Sequence, residues 1–513
     1  MLDIEETKAI MNTDHNQKNI LDAVIKNTDN YLDSKSKVEK KEIGQFFTSK
    51  ETALYMAEMF TIPDKPVLKI LDPGTGTGVL SVALIEKLQK NDIEKIELTC
   101  YENDSTILPI LKENLEIATR KSRINLIVNI HEENYILSQS DDFNNSIFEN
   151  SNPTKYDMII GNPPYKKINK NAEEAVCMKK VCHGAPNLYF LFTSMSIFNL
   201  AKDGQLVYII PRSWTSGTYF KSFREYLIQD SNIEQMHLFV SRDKVFEKEK
   251  VLQETMILKL NKKDKHKENI VITSSANNSD FHNLKTLTVP YDEIVVGEQK
   301  YVFLITSKEE AKVVEKINSF EYTLPLLGLK MKTGITVDFR NRDELRNSPE
   351  SNTVPLFYSS HIKNGEVVFP IEKNNQFITN EKAGVIQKNK NYLFVKRFTS
   401  KEEKRRLQSG IYLHAKFPEY EYISTQNKIN FIDFKNGDTM DDILVYGLFV
   451  IFNSSIYDAY YRILNGSTQV NATEINNMPI PSINQIRKMG IELKKLNNLS
   501  EKTCDIILEE LND

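Results

Sequence analysis

The 513-residue sequence has no apolar run of transmembrane length, only four cysteines (Cys100, Cys177, Cys182 and Cys504), one tryptophan and no internal repeat or low-complexity tract. It has no surplus of either charge: 66 Lys+Arg stand against 70 Asp+Glu, a net of −4. Each absence excludes something. A membrane-spanning helix needs about 20 consecutive apolar residues, and none is predicted. The opening stretch MLDIEETKAIMNTDHNQKNI lacks the basic-then-apolar pattern of a secretory signal. Four cysteines in so long a chain do not make a disulfide framework, so a reducing, cytoplasmic setting is expected. The near-neutral balance does not advertise a nucleic-acid binder, yet the footprint of one can be a local patch on a neutral protein. The length predicts two or three domains.

Missing chemistry narrows the class further. The glycine stretch DPGTGTG (72–78) is not G-x-G-x-x-G and carries no Lys-Ser/Thr, so neither a dinucleotide loop nor a phosphate-gripping P-loop is indicated. Cytosine-C5 chemistry would need a nucleophilic cysteine, and none of the four follows a proline or sits at the expected strand end. Cys177, Cys182 and His183 lack a clear fourth ligand and have weak spacing for zinc, so no metal is expected.

What is present has the rhythm of an α/β fold. TSKETALYMAEMF has helical spacing, with Thr48 or Ser49 as its N-cap. VLKILDPGTGTG is an apolar strand running into a glycine turn and the helix VLSVALIEKLQK. IELTCYEND and STILPILKENLEIATRK repeat the unit, and INLIVNIH and KYDMIIGNPPY are further strands. NLYFLFTSMSIFNLAKDG reads as a helix closed by glycine, before the strand QLVYIIP, the helix YFKSFREYLIQ and the strands IEQMHLFV and ETMILKLN. The alternation predicts a mainly parallel, doubly wound sheet over 41–265. Residues 1–40 read as an N-terminal helical extension or cap. Residues 266–513 read as a second, mixed α+β domain, with a polar linker or surface excursion near 265–290, a long apolar helix at 443–464 and a helical tail.

The first domain carries the chemistry. Gly74 and Gly76 let backbone approach a ligand at a helix N-terminus. Asp72 precedes them, where a carboxylate suits a cationic or amino-bearing ligand better than a pyrophosphate. Glu102, at the end of the next strand, stands where doubly wound folds accept hydrogen bonds from ribose hydroxyls. A helix cap and a solvated strand end are the plainer readings of these two acids. Taken together they fit S-adenosylmethionine and so a methyltransferase.

NPPY (162–165) then has a meaning beyond a turn. An amine conjugated to a ring, such as adenine N6, is a poor nucleophile because its lone pair is delocalised. Two acceptors aimed at its hydrogens, the Asn162 side-chain oxygen and the Pro163 carbonyl, favour a more tetrahedral nitrogen. Pro163 and Pro164 fix their direction. Tyr165 is expected to stack on a base turned out of the duplex.

Four stretches in order, GQFFT (44–48), LDPGTGTG (71–78), YEND (101–104) and NPPY, resemble the γ-type N6-adenine DNA methyltransferases of type II restriction–modification systems. NLYFLF (187–192), GQLVYIIPRSW (204–214) and VFEKEKVLQETMIL (245–258) are similar to later catalytic blocks of that family. The resemblance implies a Rossmann-like class I domain followed by a target-recognition domain, site-specific methylation of double-stranded DNA, and a cognate endonuclease on a separate chain. It implies cofactor contacts from Phe47, Thr48, Asp72, Gly74, Gly76 and Glu102. The family's Asp-Phe beside the cofactor's adenine corresponds here to Asn134-Tyr135, a departure that leaves an amide in place of an acid. Phe246 falls where the family places an aromatic beside the target base, although core packing is an equal reading.

Residues 361–410 hold eleven Lys/Arg and five Asp/Glu with aromatics between them, either a solvated helix face or a phosphate-binding patch. Lys396, Arg397, Arg405 and Arg406 are the expected phosphate contacts, and Ser467, Thr468 and Gln469 of NGSTQV form a loop expected near DNA. NPPY enzymes acting on RNA adenine or protein glutamine are the alternative, but those are compact, whereas about half of this chain follows the catalytic region. A non-catalytic specificity subunit would not need an intact NPPY and glycine loop. The roughly 40 residues before GQFFT are too few for a fused nuclease domain.

Overall fold

A computed structural model describes residues 19–33, 48–145, 153–239, 255–263, 268–278, 280–382, 384–399, 403–464 and 469–512. The chain divides into two compact units. The first comprises Met1–Trp214 and Tyr219–Thr306, the second Thr215–Thr218 and Ser307–Asp513.

Among the described residues the first unit carries a nine-stranded sheet. Its strands are β1 (Val67–Asp72), β2 (Lys95–Tyr101), β3 (Asn125–His131), β4 (Tyr156–Gly161), β5 (Leu200–Pro211), β6 (Asn232–Phe239), β7 (Thr255–Asn261), β8 (Asn269–Ser275) and β9 (Lys285–Pro290). The order is β3-β2-β1-β4-β5-β7-β6-β8-β9. The first five are mutually parallel, and β7 runs antiparallel between β5 and β6. Central strands buried on both faces read as continuous apolar runs, as Met158, Ile159 and Ile160 of β4 and Leu206–Ile210 of β5 do.

Helices cover this sheet: α1 (Ile20–Asp33), α2 (Lys50–Glu58), α3 (Val79–Leu88), α4 (Leu108–Lys121), α5 (Tyr135–Ser138), α6 (Ser140–Asn145), α7 (Glu173–Cys177), α8 (Leu188–Asn199) and α9 (Lys221–Asp230). Ser49 is the N-cap of α2, its side chain accepting from the Thr52 backbone N–H.

Three expectations are corrected here. Residues 268–278 and 280–290 are neither a linker nor a surface excursion. Ile270 and Ile272 of β8 are buried with a period of two, and pairing with β9 extends the sheet, so the first unit runs to Thr306 instead of ending at 265. The helix α8 is not closed by glycine. It stops at Asn199 and β5 begins at Leu200, with Gly204 inside the strand where a Cβ would meet the Tyr156 carbonyl oxygen at 2.9 Å. The N-terminal segment, described at 19–33, packs as a cap and is not a separate extension. Leu21 and Val24 of α1 are fully buried, the Leu21 N–H donates to Glu86, and Asn27 donates to the Asn114 side chain at 3.0 Å.

The second unit holds a six-stranded and a five-stranded sheet among its described residues. Aromatic rings fill its core, including Phe357, Tyr392, Phe394, Tyr412, Phe417 and Phe431. The expected helix at 443–464 is two helices, Asp442–Asn453 and Ser455–Leu464, bent by 60°. Ser454 is extended at the break, and Arg405 donates to the carbonyls of Phe452 and Ser454, which satisfies the end of the first helix. No single described helix is long and apolar enough to cross a membrane.

Candidate active site

Register sets the site. Asp72 pairs with Cys100, Tyr101 with His131, and Leu71 with Ile159, so the carboxyl ends of β1 to β4 lie side by side. The strand order reverses between β1 and β4, which opens a crevice beyond those ends. The loops leaving the four strands line a cavity of about 310 Å³. Of the expected residues, Thr48, Gly74, Gly76, Glu102, Asn134, Tyr135, Asn162, Pro163 and Pro164 line it.

The glycine loop is held by side chains that bond its backbone. Gly76 and Gly78 have φ of 55° and 85°, the left-handed region that favours glycine. The Gly76 N–H donates to Glu102 Oε2 at 2.9 Å, and Thr75 Oγ1 donates to the Asp72 carbonyl at 2.7 Å. Asn114 donates to the Thr77 carbonyl, so α1 and α4 support the loop from behind.

Asp72 itself is a correction. Its carboxylate lies outside the cavity lining and is fully buried, with Oδ2 accepting from Ser81 Oγ at 2.7 Å. Burial, offset in part by the Ser81 hydroxyl and reinforced by Glu102, pushes its pKa up to about 7. It braces the loop against the first turn of α3 from outside the cavity lining.

Glu102 is the acid that faces the cavity. Besides Gly76, it accepts from the Asp104 N–H at 2.9 Å, and burial raises its pKa. Glu133 and Glu174 also line the cavity, against a single lysine, Lys166. The lining is therefore net acidic, which suits a cationic ligand.

Asn134 caps α5: its Oδ1 accepts from the Ile136 and Leu137 N–H groups at 3.0 and 3.2 Å, and its Nδ2 donates to Glu174 at 2.9 Å. Tyr135 presents a wall, 2% exposed, with its hydroxyl donating to Asn199 at 2.8 Å and its ring tilted against Phe192 at 5.6 Å.

At the fourth strand end Asn162 is fixed from two sides. Its Nδ2 donates to Thr48 Oγ1 at 3.2 Å, and its Oδ1 accepts from the Tyr165 hydroxyl at 2.9 Å. The one hydroxyl proton of Tyr165 is shared with the Ile209 carbonyl at 3.1 Å, and its ring is buried, edge-on to Tyr189. The expectation that Tyr165 offers a ring face to a base is not met in this conformation, because the ring lies outside the cavity lining and the hydroxyl orients Asn162. Phe47 and Phe246 lie outside the described residues.

Sequence reading missed Glu133, Lys166, Ile168, Glu174, Leu188 and Phe192, which also line the cavity. Phe192 sits in the quoted NLYFLF, and helical register from α8 would have placed it. No pattern marks Glu174.

In the second unit the basic candidates separate. Residues 392–396 form a strand, so this stretch is not a solvated helix face. Lys396 and Arg397 are half-buried at its end, and Arg397 donates to the Asn427 carbonyl at 3.1 Å and to Gln469 at 3.4 Å. Phe398 pairs with Gln469, so two candidate DNA segments adjoin. Arg405 forms an ion pair with Glu501, and Arg406 is 1% exposed beneath Tyr461. The expectation that these two contact phosphate is corrected: both tie their loop to the helices. Ser467 and Thr468 lie outside the described residues.

A doubly wound sheet with a glycine loop at its first strand, an acid at its second and NPPY at its fourth is the fold of a class I methyltransferase. The Eco57I restriction-modification methylase family model matches residues 85–246. The type II methyltransferase M.BsuBI of Bacillus subtilis is 34% identical over 92% of this chain and 94% of its own. M.PstI of Providencia stuartii is 32% identical over 88% and 89%. The solved structure of the type IIL restriction-modification enzyme MmeI in complex with DNA aligns with a TM-score of 0.55 at 12% identity, covering 93% of this chain and 73% of that one. The chain belongs to the type II restriction–modification methyltransferases.

Proposed function

We propose that this enzyme methylates adenine N6 within a specific double-stranded DNA sequence, with S-adenosylmethionine as methyl donor. The observation that carries the reading is the Asn162 amide, held by Tyr165 and Thr48 at the rim of an acidic cavity on the carboxyl ends of the sheet. The cavity fits the donor. Glu102 offers acceptors for a ribose diol, and the loop at Gly74–Thr77 offers backbone to an amino-acid tail. The acidic lining complements a sulfonium, and Ile168, Leu188 and Phe192 supply apolar surface for a purine. Bound there, the cofactor supplies an electrophilic methyl group.

The chain's own residues prepare the acceptor. The Asn162 side-chain oxygen and the Pro163 carbonyl accept the two hydrogens of the target amine, which localises its lone pair for in-line attack. Tyr165 keeps the amide from turning its nitrogen toward the amine. No covalent enzyme intermediate is needed. An adenine in a duplex cannot reach this depth, so it must be turned out of the stack. The second unit is proposed to choose the sequence, with Lys396, Arg397 and Gln469 nearest the DNA. A cognate endonuclease on a separate chain is the expected partner in protecting host DNA.

Expression in a host lacking adenine methylation, followed by single-molecule sequencing of its DNA, tests this. One short motif carrying N6-methyladenine throughout is the expected result. An unmodified genome from folded protein would overturn the reading and direct attention to an RNA adenine or a protein glutamine.

A further inference from the structure

The Asn134 position is where the strand-end geometry and the cofactor's chemistry disagree. An adenine amine beside β3 needs an acceptor, since the amine is a donor. The Asn134 oxygen accepts from two helix-cap N–H groups, and the remaining face of its amide, the NH2, is itself a donor. That NH2 points to Glu174, donating to Oε1 at 2.9 Å. Glu174 lies on α7, in the segment that follows NPPY, yet it returns to the β3 end and lines the same cavity as Asn134, Ile168 and Phe192. A carboxylate has about four acceptor sites and Asn134 occupies one.

We infer that Glu174, oriented by Asn134, binds the 6-amino group of the cofactor's adenine and makes the enzyme selective for an adenosyl over a deaminated donor. This rests on the proposed S-adenosylmethionine reading. Asn134 is then a positioning residue and Glu174 the contact, a division of labour that moves the acid from the strand end to a helix beyond NPPY. The other candidate acid, Glu133, faces His131 at 3.4 Å, and its side chain is 52% exposed, so it is the weaker acceptor and the natural control.

The test is calorimetric binding of S-adenosylhomocysteine and of its analogue with hydrogen in place of the 6-amino group, to the full-length protein. A hydrogen bond to a charged acceptor in a shielded site predicts that the wild type prefers the amino compound by about 10- to 100-fold. Glu174→Ala should bring the two affinities together by weakening only the amino compound, and Glu174→Gln should fall between. Glu133→Gln should keep the wild-type preference. A variant that weakens both compounds equally would reduce Glu174 to a structural brace and overturn the inference. So would a wild type that binds both equally, although the cofactor reading would then stand. A wild type that binds neither would end the cofactor reading itself. Thermal melts of each variant, matched to wild type, confirm that the comparison is made on folded protein.

Discussion

The strand-end cleft of the first unit and the basic stretch of the second both gather polar side chains, and they use them in opposite ways. In the cleft, Glu102 and Asn162 face a cavity while neighbours hold them: Gly76 and Asp104 for the acid, Tyr165 and Thr48 for the amide. In the basic stretch, Arg397 stays half-buried at a strand end, whereas Arg406, nine residues on, is sealed under Tyr461 among the acids Asp458 and Glu474. Topology fixes where a strand end lies, so residues just past it inherit a place. A run of charge inherits none.

The largest effect expected from breaking this contrast is at Asn162. Asn162→Ala should lower methyl transfer by about 10²- to 10³-fold or more, as loss of an oriented acceptor does elsewhere, while affinity for S-adenosylhomocysteine stays near wild type. Single-turnover transfer and calorimetry measure the two. On the opposing side, Arg406→Ala should leave a cavity beneath Tyr461, with Arg462 still paired to Asp458, and cost about 3 kcal/mol in urea unfolding. A variant of full stability that loses DNA affinity alone would restore Arg406 to the interface.

Packing supplies the next prediction. Helices Asp442–Asn453 and Ile483–Leu496 cross at Gly447 and Gly490, where a Cβ would stand 1.9 Å from the Ile486 and Ile443 carbonyl oxygens. Gly447→Ala should therefore destabilise by about 2 kcal/mol through overpacking. An unchanged unfolding midpoint would mean the helices separate at no cost.

Asp72 sharpens the cleft side through pH. Folded protein keeps its proton up to about pH 7, while an unfolded aspartate releases it near about pH 4. The folded state therefore binds more protons between these values. The stability contributed is full below about pH 4 and is lost as pH rises through the folded pKa. Asp72→Asn cannot ionise, so melting curves should show it gaining on wild type from pH 5 to 8. A pH-independent difference would show that the carboxylate ionises normally.

The smallest effect is at Arg397. Arg397→Gln should weaken binding at all sequences alike and reduce the salt slope by about one, with stability unchanged. An unaltered slope would remove it from the phosphate contacts.

The sequence was most legible where backbone rules leave little choice. DPGTGTG, YEND and NPPY each follow a buried strand, and parallel register delivers all three to one crevice. It was least legible where position depends on distant partners. Arg405 looks like a surface cation until Glu501 and the carbonyls of Phe452 and Ser454 are brought to it. Tyr165 looks like a stacking ring until Ile209 and Asn162 claim its hydroxyl. Strands β8 and β9 hid in polar composition because the buried end of β8 is Thr273, Ser274 and Ser275, and β9 buries only Val289. Glu174 belongs to no pattern at all, and only the fold returns it to the end of β3.

One measurement bears most directly on the claim that this cleft activates an adenine amine. Purified enzyme is given methyl-labelled S-adenosylmethionine and DNA containing every short sequence, and the DNA is digested to nucleosides and separated. The account predicts label in N6-methyldeoxyadenosine for wild type and none for an Asn162→Ala variant that still binds S-adenosylhomocysteine. Label in any other nucleoside, or transfer by Asn162→Ala near the wild-type rate, would contradict it.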